Sequence, residues 1–331
     1  MVFRTELFYK PNSIKLDYSS NVFTIGSCFV TEIAEKLSRY KFSVLHNPFG
    51  ILFHPLAIEN ALMRIYSNEE YQPAEIYKHE ELYLSWDHHS SFNNVSSEKI
   101  LSQINKNIQK ANHFLQNTDL VIITLGTSYV YKLKQFDLVV ANCHKIPNSQ
   151  FSKILLAEHQ IKTSLKNIIE MLKDLGKKGM KIIFTLSPVR HISDGIIENN
   201  LSKSRLLCAI HSVVETYENC EYFPSYEFLL DDLRDYRFYK EDLIHPNKFA
   251  IEYIWNKFKE AYISEEVLPL MKKVEKIIQA LKHKPFNPHT IAYKKFLYSI
   301  LKDIQEVEEL LPQTSFRQEI LELKKRMQDS Y

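Results

Sequence analysis

Gly26 and Ser27 stand where the sequence changes from the pattern of a strand to that of a helix. Residues 22–25 form a short apolar run of strand-forming types, and apolar residues then recur at helical spacing through residues 30–37. We expect a strand, a tight turn and a helix that begins near Ser27. The N–H groups of Ser27 and Cys28 would be unpaired donors at the helix start, which suits a nucleophile whose product is an oxyanion. A serine that only caps the helix would give the same pattern.

A carboxylate and an imidazole with complementary spacing occur much later, at Asp242 and His245. A carboxylate three residues before a histidine can fold back and accept the Nδ1–H of its ring, which leaves Nε2 to take a proton from a serine. The chain has 13 histidines, so one such spacing can arise by chance, and an exposed loop histidine remains the alternative.

Gly50 and Gly126 follow two further predicted strands, and a glycine permits close approach of the backbone to a ligand. Their N–H groups could donate to a developing oxyanion, with Asn47, Thr127 and Ser128 as side-chain partners nearby. Loss of one such donor costs about 2.7–4 kcal/mol in known systems, so a hydrolase needs donors of this kind. Either glycine could equally form an ordinary turn.

Two histidine-containing clusters and one cysteine offer competing chemistry. Asp87-His88-His89 and Cys143-His144 resemble parts of a metal site, although neither has a recognised ligand spacing. Cys28 could itself be the nucleophile, because a helix N-terminus lowers the pKa of a thiol, but we expect its side chain to face the packing side of the helix. The sequence contains no phosphate-loop, dinucleotide-binding or zinc-protease motif. We predict neither a metal ion nor a cofactor.

The elements that must position these residues alternate between strand and helix. Residues 120–125 and 181–186 are apolar almost throughout, which is typical of strands buried on both faces of a parallel sheet. Shorter strands are expected at residues 42–45 and 221–223, with helices between the strands. The alternation favours a doubly wound α/β sheet, in which ligands bind beyond the carboxyl ends of the strands. Most of the candidate residues follow such strand ends.

From residue 264 the pattern becomes entirely helical. Three amphipathic helices are expected, at about residues 267–281, 291–304 and 316–328. We therefore predict a catalytic domain over residues 1–263 and a helical extension over residues 264–331, which packs on that domain or on a partner.

Composition narrows the possible partners. The formal net charge of the 331 residues is +2, so no strong field attracts nucleic acid or an anionic membrane, and no apolar run is long enough to span a bilayer. The four cysteines are scattered, which suggests reduced thiols and a cytoplasmic protein. The expected partner is a small molecule.

The ordered set of these segments resembles the SGNH (GDSL-like) hydrolases. More narrowly, Gly26-Ser27-Cys28-Phe29-Val30 is similar to the motif that names the GSCFA family, with valine in place of the usual final alanine. Further stretches that look like this family are Asn47–Gly50, Thr124–Ser128, Asn142–Lys145, Ser187–His191 and Tyr236–Pro246.

The resemblance implies a three-layer α/β/α fold around a parallel sheet of about five strands. It also implies Ser27 as nucleophile, His245 as base and Asp242 as its orienting carboxylate, with the N–H groups of Ser27 and Gly50 in the oxyanion hole. SGNH enzymes usually have asparagine at the position of Ser128. Asn47, Asn142 or Arg190 could compensate for that difference, and His144 lies in one of the similar stretches.

These residues predict a serine esterase that removes a small acyl group, such as acetyl, from a carbohydrate or related ester through an acyl-Ser27 intermediate. Trp86, His88, His89 and the tyrosine-rich segment 222–239 could line a cleft for a sugar. Transfer of the acyl group to a hydroxyl acceptor is a neighbouring possibility. A catalytically silent ligand-binding module with the same fold is the alternative from another class.

Overall fold

A computed structural model describes residues 5–11, 14–283 and 285–328, without the side chain of Asp194. The ends of the predicted domain and extension, residues 1–4 and 329–331, therefore lie outside the described residues. The strands and helices in chain order are β1 (Asn21–Gly26), α1 (Cys28–Arg39), β2 (Ser43–His46), α2 (Pro55–Ser67), β3 (Tyr77–His79), β4 (Leu82–Leu84), α3 (Ser97–Leu115), β5 (Leu120–Leu125), β6 (Tyr129–Leu133), β7 (Leu138–Val140), β8 (Phe151–Leu155), α4 (Glu158–Leu175), β9 (Lys181–Leu186), α5 (Ile196–Val214), β10 (Cys220–Phe223), α6 (Ser225–Glu227), α7 (Lys248–Tyr262), α8 (Leu268–Lys282), α9 (Ile291–Leu310) and α10 (Arg317–Gln328).

Five strands form one parallel sheet in the order β2-β1-β5-β9-β10. The predicted α/β fold with a five-stranded parallel sheet is confirmed. Because β2 and β5 lie on opposite sides of β1, the chain winds in both directions from this strand. In doubly wound proteins, ligands bind beside the carboxyl end of the strand at which the winding reverses, which here is β1.

The strand sequences explain why both faces of the sheet are covered. In β5, Leu120 and Ile122 belong to one hydrophobic cluster, whereas Val121 and Ile123 belong to a second cluster on the other face. Helices α1 and α7 pack in the first cluster, and α2, α3, α4 and α5 pack in the second. Each fully buried aliphatic side chain stabilises the fold by about 1.5–3 kcal/mol, so a strand that is apolar on both faces requires helices on both.

Two small antiparallel sheets were not predicted. One is the β3–β4 hairpin, and the other has the order β7-β6-β8 and is inserted between β5 and α4. Their strands have three to five residues and include exposed or half-buried polar positions, so they lack the long apolar runs that mark the central strands. Leu84, Trp86, Leu133, Val140 and Phe151 form a separate small core between the two sheets.

The three predicted C-terminal helices are present as α8, α9 and α10. Their buried residues, such as Val274, Leu297 and Leu323, belong to the same hydrophobic cluster as Trp255 and Phe258 of α7. The extension thus packs on the main body of the same chain. The domain boundary at residues 263 and 264 stays a prediction. None of the described helices combines the length and the apolar character that crossing a membrane requires.

Candidate active site

Ser27 caps α1 directly after β1, as predicted. The turn depends on Gly26, whose φ is +135°, because a Cβ atom at this position would overlap the carbonyl group of Thr124 in the adjacent strand β5. The side chain of Ser27 is buried, and its Oγ has no hydrogen-bond partner among the described residues. An N-cap hydroxyl usually accepts a bond from the helix, and this one does not. A plain capping role therefore does not explain Ser27.

The N–H group of Ser27 is not a free donor, and that part of the prediction is wrong. It donates to the carbonyl oxygen of Thr124 at 2.9 Å, because the ladder between β1 and β5 continues one residue beyond the strand. The N–H groups of Cys28 and Phe29 have no oxygen acceptor in the described part of the chain and lie beside the Cys28 sulfur. The helix start therefore still presents two N–H groups to an anion.

Gly50 and Gly126 also have N–H groups that are already engaged. Gly50 donates to the carbonyl oxygen of Asn47 at 2.8 Å, and Gly126 donates to that of Phe53 at 2.8 Å. The Asn47 side chain accepts the N–H of Gly26 at 2.9 Å and donates to Thr31 Oγ1 at 3.2 Å. In this structure these predicted oxyanion donors therefore hold the loops around Ser27 in place.

Ser128 is not available as the predicted oxyanion donor, and that prediction needs correction. Its side chain is fully buried, its N–H donates to Ser202 Oγ at 2.8 Å, and its hydroxyl donates to the carbonyl oxygen of Ser202 at 3.1 Å. Thr127 Oγ1 lies 3.0 Å from the same Ser202 hydroxyl. These bonds join the end of β5 to α5.

Asp242 and His245 form the predicted pair. His245 Nδ1 lies 2.7 Å from Asp242 Oδ2, while Asp242 Oδ1 accepts the N–H groups of Ile244 and His245, each at 2.9 Å. Leu243 closes the turn with φ at +58°. The two backbone bonds, followed by the bond from the imidazole, lower the pKa of Asp242 to about 2. The carboxylate is thus charged near neutral pH and holds the ring with Nε2 unbonded to described residues.

The turn that carries His245 lies beside α1. It leads into α7, which packs against α1 and joins it through the ion pair of Lys36 with Glu252. Burial and then Glu35 raise the pKa of Glu32 on α1, whereas nearby lysines and His245 oppose that rise. Ser27 Oγ and His245 do not hydrogen-bond in this structure. Hydrogen bonds between catalytic groups are often long in free enzymes and tighten when substrate binds.

Lys203 is a neighbour of Cys28 that sequence reasoning missed. It is fully buried on α5, and its Nζ donates to the carbonyl oxygen of Ser187 at 2.7 Å. Burial lowers the pKa of Lys203 to about 7, and the nearby Cys28 opposes this effect. Burial also raises the pKa of the Cys28 thiol, which disfavours the thiolate and argues against Cys28 as the nucleophile. The only sequence signal for Lys203 was its place on the apolar face of a helix.

A cavity of about 240 Å³ lies beside the loop that follows β5. Of the predicted substrate-binding residues, Thr127 and Asn142 line it together with Phe53, Tyr129 and His191. Asn142 Oδ1 also accepts the N–H of His144 at 2.8 Å. Arg190 lies in a different cleft of about 170 Å³, which Tyr236 and Tyr239 also line. Thr127 and Asn142 thus lie in one recess and Arg190 in another.

Three aromatic residues predicted near a substrate are instead part of the core. The His144 ring is turned inward so that its Nε2 lies 3.0 Å from the carbonyl oxygen of Ser85, and burial lowers its pKa to about 4. Trp86 and His88 are also buried, and His88 stacks on Phe49. The expectation that Trp86 and His88 line a sugar cleft is therefore wrong. Within the described ranges, no three or more histidine, cysteine or acidic residues are grouped so that they could hold a metal ion.

A five-stranded parallel sheet with helices on both faces, and a buried serine at the carboxyl end of its first strand, defines a doubly wound α/β protein. The chain belongs to the GSCFA family: the model of that family matches residues 21–258, and the model of the GSCFA C-terminal domain matches residues 274–329. No curated protein is similar enough to match the chain.

Distant likenesses exist among solved structures. A protein from Streptococcus pneumonia, provisionally named a platelet activating factor, is 10% identical and has a TM-score of 0.38, with 73% of this chain and 83% of that chain covered. A DUF4886 family protein from Bacteroides uniformis is 12% identical and has a TM-score of 0.37, with 77% and 91% covered. Likenesses this distant carry no argument about function.

Proposed function

We propose that the protein is a serine ester hydrolase in which Ser27 is the nucleophile and His245 the general base. The observation that carries the proposal is the Asp242–His245 pair. It orients an imidazole, whose Nε2 has no hydrogen-bond partner among the described residues, beside the helix that begins after Ser27. The unpartnered Oγ of Ser27 supports it, because buried hydroxyl groups normally find a partner.

The reaction follows from the atoms available. Ser27 Oγ attacks the acyl carbon while His245 Nε2 takes its proton, and the imidazolium then gives that proton to the departing alcohol oxygen. Water attacks the acyl-Ser27 ester with the same base, which releases the carboxylic acid and restores the serine. The N–H groups of Cys28 and Phe29 are the candidates for stabilising the oxyanion, since they have no oxygen acceptor in the described part of the chain.

The substrate that we propose is a small acyl ester, such as an acetyl ester, of a carbohydrate or related compound. The cavity of about 240 Å³ beside β5 supports this choice, because it combines the rings of Phe53 and Tyr129 with the polar side chain of Asn142. Transfer of the acyl group to a hydroxyl acceptor would use the same acyl-enzyme.

We also propose that the protein works in the cytoplasm, without nucleic acid or a membrane as partner. All four cysteines are free, which suits a reducing compartment. The formal net charge of +2 offers no strong field to a polyanion.

A ligand-binding module without catalysis is the second candidate. It is favoured by the burial of Ser27 Oγ and by the engagement of the N–H groups of Ser27, Gly50 and Gly126 with protein carbonyl oxygens. In that case the fold would bind an ester or a related compound without cleaving it.

A fluorophosphonate probe and small aryl acetates separate the two candidates. We expect the probe to label the wild-type protein, and both labelling and acetate hydrolysis to be lost in Ser27→Ala and in His245→Ala. Ser38→Ala and His289→Ala, which change exposed residues, are the matched controls and should keep both activities. A folded protein without labelling would favour the binding module, and hydrolysis that survives both site variants would refute the mechanism.

A further inference from the structure

Arg190 follows β9, and its guanidinium group has no partner among the described residues. The side chain is half-buried and its Nε is completely buried, yet it makes neither a hydrogen bond nor an ion pair with them. A guanidinium offers five N–H donors and cannot lose its charge in a protein, so it cannot escape the cost of burial by becoming neutral. The group is therefore placed to bind an anion.

The cleft around Arg190 has a volume of about 170 Å³ and carries an excess of unpaired positive charge. Its lining residues are Arg190, Leu230, Arg234, Asp235, Tyr236 and Tyr239. Asp235 is already neutralised by Arg237, whose guanidinium and N–H both donate to the carboxylate at 2.8 Å. Arg234 has only a loose contact with Asp231, at 3.9 Å and largely in solvent.

The groups that face Arg190 from neighbouring elements leave its charge unmatched. Burial raises the pKa of Tyr239 and of Tyr226, and Arg190 opposes the rise in both because its charge favours the phenolate. Neutral tyrosine hydroxyl groups can donate to an anion bound beside Arg190. Glu227 and Asp231 also lie near Tyr226, but neither forms an ion pair with Arg190 within the described ranges.

The cleft adjoins the turn that carries His245. Tyr239 pairs with Pro246 in an antiparallel bridge, and the N–H of Lys240 donates to the carbonyl oxygen of His245 at 2.7 Å. A ligand held by Arg190 and Tyr239 would thus lie beside the turn that carries the proposed general base.

A second basic side chain, Lys203, also lies near Tyr226. Lys203 Nζ is 5.9 Å from the centre of the Tyr226 ring and pairs with no carboxylate in the described part of the chain. Arg190 and Lys203 are thus both near the same tyrosine without a carboxylate partner among the described residues. An anionic ligand would offset the unmatched charge of Arg190.

We propose that the ligand of the candidate active site carries a negatively charged oxygen group, a carboxylate or a phosphate, and that Arg190 binds this group in the cleft beside His245. The inference rests on the proposed function in one respect, since it assumes that the ester bond of the same ligand lies at Ser27. It narrows the substrate class from carbohydrate esters in general to esters of anionic compounds.

Calorimetric titration of the full-length protein with inorganic phosphate and, separately, with succinate tests the site without any reaction. We expect saturable binding of at least one anion, and a loss of affinity of at least tenfold in Arg190→Gln, since a hydrogen bond to a charged group is a strong one. Arg190→Lys keeps the positive charge but loses the planar guanidinium that can donate two parallel hydrogen bonds. Its affinity for the anion should therefore lie between those of the wild type and Arg190→Gln. The anion that binds more tightly shows whether the site prefers a phosphate or a carboxylate group.

Arg317→Gln is the matched control, because Arg317 is an exposed arginine at the start of α10 and does not line the cleft. It should change the affinity by less than twofold, and Ser27→Ala should leave anion binding intact. The inference is overturned if the wild-type protein binds neither anion at millimolar concentration, or if Arg190→Gln binds as tightly as the wild type. Anion binding that depends on Arg190 in a protein that the fluorophosphonate does not label would refute the catalytic proposal alone.

Discussion

Gly26 is the residue that lets Ser27 stand at the end of β1. Alanine at this position would combine a positive φ with a Cβ atom that overlaps the carbonyl group of Thr124. Gly179 has a φ of +89°, but a Cβ atom there would meet nothing within 4 Å. A comparison of alanine substitutions at the two glycines therefore distinguishes the cost of backbone strain from the cost of steric overlap.

We expect Gly26→Ala to prevent folding or to lower the free energy of unfolding by more than about 4 kcal/mol, which is exceptional for one substitution. Gly179→Ala should cost only about 1–2 kcal/mol, the strain of a left-handed residue with a Cβ atom. Urea unfolding followed by circular dichroism measures both. Equal losses in the two variants would show that the contact with Thr124 does not constrain the turn.

Lys203 predicts a dependence of stability on pH. Its pKa is lowered by burial from 10.5 to about 7, so between these values the unfolded chain binds a proton that the folded chain does not. The free energy of unfolding should therefore rise with pH across this window, by up to about 1.4 kcal/mol per pH unit. The cost of the buried charge is present in full below pH 7 and disappears toward pH 10.5.

The measurement compares the wild type with Lys203→Met by urea unfolding at several pH values. We expect the variant to be the more stable protein at pH 6, and the wild type to gain on it by about 2–3 kcal/mol between pH 7 and pH 9. Lys302→Met, on the exposed face of α9, provides the baseline for replacing lysine by methionine. A difference that stays constant with pH would show that Lys203 does not titrate in this range.

At the scale of the elements, local patterns were sufficient for much of the site. The predicted strands 120–125 and 181–186 have the same bounds in the structure, because a buried parallel strand is apolar along its whole length. The Asp242–His245 pair could be predicted because both residues lie in one turn. These features depend on neighbours in the chain.

Other features depend on partners that are distant in the chain, and the sequence did not indicate them. The N–H of Ser27 is engaged because of the register between β1 and β5, which no local pattern specifies. The bond between Ser128 and Ser202 joins residues 74 positions apart. Both contacts use donors that the sequence had assigned to an oxyanion.

Ser202 joins α5 to the end of β5, and this link is testable. Ser202→Ala would leave the buried N–H of Ser128 without an acceptor, and an orphaned buried donor costs about 1–3 kcal/mol. We expect a loss of unfolding free energy in this range. Ser204→Ala lies two residues away on the same helix, where its exposed hydroxyl bonds only to the carbonyl oxygen of Asn200, and should change stability by less than about 0.5 kcal/mol. Similar losses of unfolding free energy in Ser202→Ala and Ser204→Ala would show that Ser202 does not hold α5 against the end of β5.

At the scale of the whole molecule, one hydrophobic cluster extends from the central sheet through α7 into α8, α9 and α10. Such a continuous core favours a single cooperative unfolding transition, although the chain is long enough for separate units. Trp255 of α7 is fully buried in this cluster, and Trp86, the other tryptophan, lies in the small core between the antiparallel sheets. In a Trp86→Phe background, fluorescence therefore reports on the surroundings of α7, whereas far-UV circular dichroism averages over all helices, including α8, α9 and α10.

In that background, the fluorescence and circular dichroism transitions in urea should coincide. Leu297→Ala, which removes a fully buried side chain from α9, should lower both midpoints together and cost about 2–5 kcal/mol, because the cavity opens in the shared core. Leu310→Ala, at an exposed position of the same helix, should leave both curves within about 0.5 kcal/mol of the parent. If Leu297→Ala shifted only the circular dichroism curve, the C-terminal helices would unfold as a separate unit. Coincident shifts would instead mean that the helices stabilise the body that carries Ser27 and His245.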